Sequence, residues 1–242
     1  MFMRRRYSLR MNCFSPPVML ATAIIEISLM LYTLYKYGTK SIGRLVALTL
    51  LLLAIFQIAE YNICGGLGLN SQFWSRLGFM VIAVLPPLGI HLSMMIAKKD
   101  IKWFRYTAYL SGLIWVAIFG LSERAFSGYS CGGNYIIFQL RENFGSAYML
   151  YYYFWLFAAI GLSIWFMIKA SKSQMKSLLL LIIGYLLFIV PTSLINGINP
   201  TTIEGLPSIL CGFAVFYALV ITFGILPNEL KTKKRTKKKL TK

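Results

Sequence analysis

The chain has 242 residues, 58% hydrophobic and only 13% charged, and its 25 Lys and Arg against 7 Asp and Glu give a formal net charge of +18. A soluble domain carries about a quarter of its residues charged, and a soluble nucleic-acid binder spreads its positive charge over a folded face. Here basic segments join long apolar runs, so both classes are excluded in favour of an all-α, polytopic membrane protein.

Residues 1–16 form a basic N-terminal segment with Arg4, Arg5, Arg6 and Arg10. The apolar run that follows continues to about Tyr37 without a convincing small-residue cleavage site, which reads as a first spanning helix, with a short presequence as the alternative. About 20 helical residues cross roughly 30 Å of hydrocarbon. By that measure the chain predicts seven spans, at 17–38, 42–63, 73–96, 103–121, 147–168, 177–197 and 207–227. They make one seven-helix bundle over 17–228, followed by a polybasic tail at 229–242.

Charge alternates between the connections. Lys36, Lys40 and Arg44 flank the first, Lys98, Lys99, Lys102 and Arg105 the third, and Lys169, Lys172 and Lys176 the fifth. The tail, KTKKRTKKKLTK, adds eight basic residues, whereas 64–72 carries no charge and 198–206 only Glu204. The positive-inside bias therefore predicts a cytoplasmic C-terminus and an outside N-terminus, against the arginines of 1–16. The expected location is a cell membrane of bacterial type, with the tail on the cytoplasmic leaflet. Each Lys or Arg there contributes about 1 kcal/mol of attraction to anionic lipid. The tail has no interleaved aromatics, so nucleic acid is not an expected partner.

Ionisable groups inside spans are costly and mark function or structure. Glu26 falls near the middle of span one with no basic residue at matching depth. It is expected to be protonated or to bond polar side chains of neighbouring helices, and it is the residue on which proton or cation transport would depend. Glu60 lies near the outer end of span two, with Gln57 one turn deeper, and Arg76 lies at similar depth in span three. A Glu60–Arg76 salt bridge is expected, either as a structural clamp or as the wall of an outward pocket. Pro86 and Pro87 predict a bend in span three with His91 just below it, and Pro191 a second irregular helix leading to Asn196 and Asn199. Tyr151, Tyr152 and Tyr153 cannot share one helix face, so at least one points into the bundle.

Cys13, Cys64 and Cys131 fall on the outer, oxidising side. The similar segments YNICGG (61–66) and YSCGGN (129–134) place Cys64 and Cys131 in outer connections, where they are either disulfide-bonded or free thiols. Cys211, within span seven, is read as a packing residue. The cysteine spacing and the single histidine give no metal site, and no cofactor is expected. Span seven lacks the lysine of a retinal protein, and no span contains an aspartate. No catalytic motif is present, and an enzyme is not expected.

Span three, FWSRLGFMVIAVLPPLGIHL (73–92), resembles the corresponding helix in the seven-helix sensor region at the N-terminus of many bacterial histidine kinases. In that family an arginine near the helix start is followed by a proline-containing turn and then by a histidine or aromatic. Arg76, Pro86 and His91 hold those places here, and the likeness extends to Glu60 at the end of span two and Pro207 at the start of span seven. It covers about residues 17–228. The resemblance implies a sensor. In the family the bundle is fused to a linker and signalling domains, whereas this sequence runs into a basic tail. A standing-alone sensor of this kind is expected to signal through a separate cytoplasmic protein, or to act as an accessory membrane protein, with a homo-oligomer possible. The alternatives are a structural or interaction protein and a small-solute transporter using Glu26.

Overall fold

The structure, a computed structural model, describes residues 16–64, 70–122, 125–131 and 136–230. Seven helices follow in chain order: α1 (Pro16–Tyr37), α2 (Ser41–Cys64), α3 (Ser71–Ala97), α4 (Lys102–Leu121), α5 (Glu142–Met167), α6 (Lys172–Ile198) and α7 (Leu206–Leu219). The last continues through a π-helical stretch, Val220–Ile225, and each of the seven is long and apolar enough to cross a membrane. Most of the expected spans agree with these helices to within a few residues.

The main differences are the starts of α5 and α6, each five residues earlier than the windows expected. For α6 the cause is a capping box: Ser171 accepts from the Gln174 backbone, and the Gln174 side chain returns the bond to the Ser171 N–H. That reciprocal pairing satisfies two of the donors that a helix start leaves open. α3 starts on Asn70, whose side chain accepts from the Gln72 N–H, and stops at Lys98, which takes left-handed backbone angles (φ 55°). At Lys98 the chain turns out of the helix, and its N–H bonds back to Met94 and Met95.

The 122–146 connection holds a β-hairpin that the all-α expectation did not include. Strands β1 (Phe126–Cys131) and β2 (Ile136–Leu140) pair antiparallel, Cys131 opposite Ile136 and Phe126 opposite Leu140, with an irregularity between Phe126 and Gly128. Phe126 anchors the hairpin to the bundle through Phe79 of α3 and Phe119 of α4, with ring centroids 5.3 and 5.7 Å away. Tyr148 of α5 completes this aromatic cluster, 5.4 Å from Phe79 and 5.1 Å from Phe119. The bundle thus has a hairpin end and, opposite it, a basic end carrying the turns at 38–40, 98–101 and 168–171.

α3 is the central post. Of its apolar window 72% is buried, against 17% for α4, and it contacts α2, α4, α5 and α6. The outward faces of α1, α4 and α5 expose Leu31, Leu110, Leu113, Leu150 and Phe157, as a lipid-facing surface requires. Because lipid offers no net hydrophobic gain for helix association, polar side chains matter at the contacts. α3 has several. His91 Nδ1 meets the Tyr109 hydroxyl of α4 at 2.9 Å, Ser93 meets Ser163 of α5 at 3.0 Å, and the Gln174 amide of α6 donates to the carbonyls of Ile96 and Ala97.

Candidate membrane-embedded site

Three polar side chains from the first two helices enter the bundle interior. Glu26 is 0% exposed, Glu60 1% and Gln57 2%. Side chains on a helix lean towards its N-terminus. In the antiparallel pair α1 and α2, Glu26 therefore leans towards the hairpin end and Glu60 leans away from it. The two carboxylates converge, and they lie within electrostatic range of one another. Gln57 sits one turn from Glu60 on the same face of α2.

The third wall is α7. The Ser208 hydroxyl hydrogen-bonds the Glu60 carboxylate, and Cys211, one turn further along, lies within electrostatic range of both Glu26 and Glu60. The remaining polar atoms have no protein partner: both Glu26 oxygens, Glu60 Oε1 and Gln57 Nε2 are buried without a hydrogen bond. Two small cavities adjoin Cys211. One of about 30 Å³ is lined by Thr49, Pro86, Tyr152, Tyr185, Cys211 and Tyr217. A second, about 10 Å³, lies between Tyr148, Tyr152, Pro207 and Cys211. A single water needs about 10–15 Å³ of such space, so these two cavities hold waters; neither is lined by Glu26, Gln57, Glu60 or Ser208.

Arg76 does not join Glu60. Its guanidinium donates to the carbonyls of Phe119 and Gly120, the Nε–O distance to Phe119 being 3.0 Å. These are among the last carbonyls of α4, which have no helical donor, and the positive charge also suits the negative end of that helix. Among the described residues the one ion pair is Arg105–Asp100, 3.2 Å, at the basic end. The expected clamp between α2 and α3 is replaced by one between α3 and α4, because the carbonyls of Phe119 and Gly120 at the end of α4 lie within reach of the arginine.

The other expected residues are dispersed. His91 is tied to Tyr109, away from the carboxylates. Asn196 accepts from the Thr202 hydroxyl in the 3₁₀ turn Pro200–Gly205, at the hairpin end of α6. Pro86 lines the larger cavity, while Pro87 packs near Gly112 of α4. Pro191 lies inside a continuous α6. Tyr151 and Tyr152 both point inward, as the three-tyrosine argument required of at least one. The side chains of Cys64 and Cys131 lie outside the described residues, as do residues 1–15 and 231–242. Among the described residues, no group of His, Cys, Asp and Glu forms a metal cluster.

No family model matches the chain, and no curated protein matches it. These comparisons lend no support to the expected likeness to kinase sensor regions.

Proposed function

We propose that the chain is a membrane sensor or signalling accessory, with its basic end in the cytoplasm, that relays the state of the buried site to a separate cytoplasmic protein. One observation carries this reading: α7 joins the two places such a relay needs. Ser208 and Cys211 belong to the carboxylate cluster, and Asn228 and Glu229 lie at the opposite end, where the polybasic tail begins. Some 20 residues of helix separate them, about 30 Å.

Between the two ends the backbone changes from α to π at Val220–Ile225. Such segments store a local register change and recur at functional positions. At the basic end Ser177 donates to Glu229 at 2.7 Å, and the Asn228 amide donates to Ser173 O and Ser177 Oγ. A shift along α7 therefore has to break a defined set of bonds to α6. The tail would hold anionic lipid in one state and an acidic protein face in the other.

The test is crosslinking in intact cells, followed by mild-detergent capture and mass spectrometry, comparing the full chain with a version ending at Glu229. The relay predicts a cytoplasmic protein captured by the full chain and lost on truncation. Identical captures from both versions would overturn it. A transporter reading is favoured by a different observation, the unpaired Glu26. It predicts solute flux that Glu26→Gln abolishes, whereas the relay predicts altered capture without flux.

A further inference from the structure

Two carboxylates cannot both be left ionised and unpaired in a dry interior, where an isolated charge costs many kcal/mol. Among the described residues neither Glu26 nor Glu60 is within ion-pair distance of a basic side chain. A carboxyl in such a place is neutralised either by a proton or by a bound cation.

The atoms facing this place are oxygens apart from the Cys211 sulfur and the Gln57 amide nitrogen: the two of Glu26, the free Oε1 of Glu60 and the Ser208 hydroxyl. Gln57 gives independent support, since its buried amide also ends without a partner on the face that carries Glu60. A flip of that amide puts its oxygen where the unpartnered nitrogen stands. Hard oxygen donors suit hard cations. The two cavities beside Cys211, about 30 and 10 Å³, hold water-sized guests, and neither is lined by Glu26, Gln57, Glu60 or Ser208. Charge narrows the class. Calcium takes roughly 6–8 oxygens, more than these side chains supply, and desolvating a divalent ion is costlier than desolvating a monovalent one.

We propose that Glu26 and Glu60, with Ser208 and Gln57, bind one small monovalent cation such as Na⁺ between α1, α2 and α7, the second negative charge being neutralised by a proton shared within the pair. The titratable neighbour on α7 is Cys211, a buried thiol that carries no charge to oppose the ion. Occupancy draws the three helices together at one point. The site stands independently of the relay reading and is tested on the purified chain without any partner.

The experiment has two readouts on the full chain in detergent. Thermal unfolding is followed while NaCl replaces N-methylglucamine chloride at constant ionic strength. Glu26 is also labelled with dicyclohexylcarbodiimide, which attacks protonated carboxyls in apolar surroundings, and the adduct is mapped by mass spectrometry. Binding to the folded state raises Tm with the logarithm of Na⁺ above its Kd. The expected result is a rise in the wild type that is absent in Glu26→Gln, with a midpoint weakened about 10-fold or more in Glu60→Asp. Na⁺ is also expected to suppress Glu26 labelling several-fold, a readout that survives if a variant fails to fold. Identical Tm and labelling in Li⁺, Na⁺, K⁺ and N-methylglucamine would overturn the proposal. So would a response to Ca²⁺ or Mg²⁺ alone.

Discussion

The Tyr151 hydroxyl donates a 2.6 Å hydrogen bond to the carbonyl oxygen of Ala83. That carbonyl would ordinarily accept from the N–H of residue 87, four positions on, and Pro87 has none. A tyrosine from α5 supplies the donor that the proline removed from α3. The bond that the proline removes is therefore replaced from a neighbouring helix and not from α3 itself.

Tyr151→Phe removes this donor and leaves a buried carbonyl bare, at a cost of about 1–3 kcal/mol. Pro87→Ala restores the backbone donor, so the two changes should be coupled. The double variant should lose less stability than the sum of the single ones, as measured by thermal unfolding in detergent.

Arg76→Gln should destabilise the bundle by about 1.5–3 kcal/mol, the range for hydrogen bonds made by a charged group. Because the guanidinium holds the end of α4 and not Glu60, a cycle combining Arg76→Gln with Glu60→Gln should be additive to within about 0.5 kcal/mol. An ion pair would give a larger coupling.

Gly89 of α3 leaves room for the Tyr185 ring of α6: a methyl placed there would run into the Tyr185 hydroxyl. Gly89→Ala is expected to cost about 1–3 kcal/mol through overpacking. Tyr185→Phe, which withdraws the colliding oxygen, should recover part of that loss in the double variant.

Cys211 lies fully inside the bundle, behind Tyr152 and Leu210. In the folded protein a membrane-permeant maleimide should label it far more slowly than it does in denaturant. Equal rates would mean that the cavities beside it open freely.

The spans were legible because about 20 successive apolar residues, the length of helix that crosses lipid, leave a signal in composition alone. The start of α6 was also written in the sequence, as Ser171 followed by Gln174 three residues on. The hairpin was not read from the sequence, although its segment 131–134, CGGN, sets glycines and an asparagine between strand-forming residues. Nor was the pairing of Arg76. At similar depth, sequence cannot choose between a carboxylate on α2 and carbonyls on α4, because the choice depends on how α3 is rotated. Ser208 and Cys211 carried no signal either. They matter only because α7 packs against α1 and α2, a contact between helices remote in the chain.

The bonds that complete α3 have a consequence for how the protein is made. Ala83 waits for Tyr151, and the carbonyls of Ile96 and Ala97 wait for Gln174, so their donors are synthesised 68 to 78 residues after their acceptors. Until α5 follows it into the bilayer, the third helix exposes at Ala83 a bare carbonyl that hydrocarbon cannot solvate, and until α6 follows, its last turn at the basic end lacks its partner. It is best sheltered at the insertion machinery until those helices arrive. Biogenesis of this bundle is therefore paced by its middle, and a break after α4 should strand α3 in a form that quality-control proteases recognise.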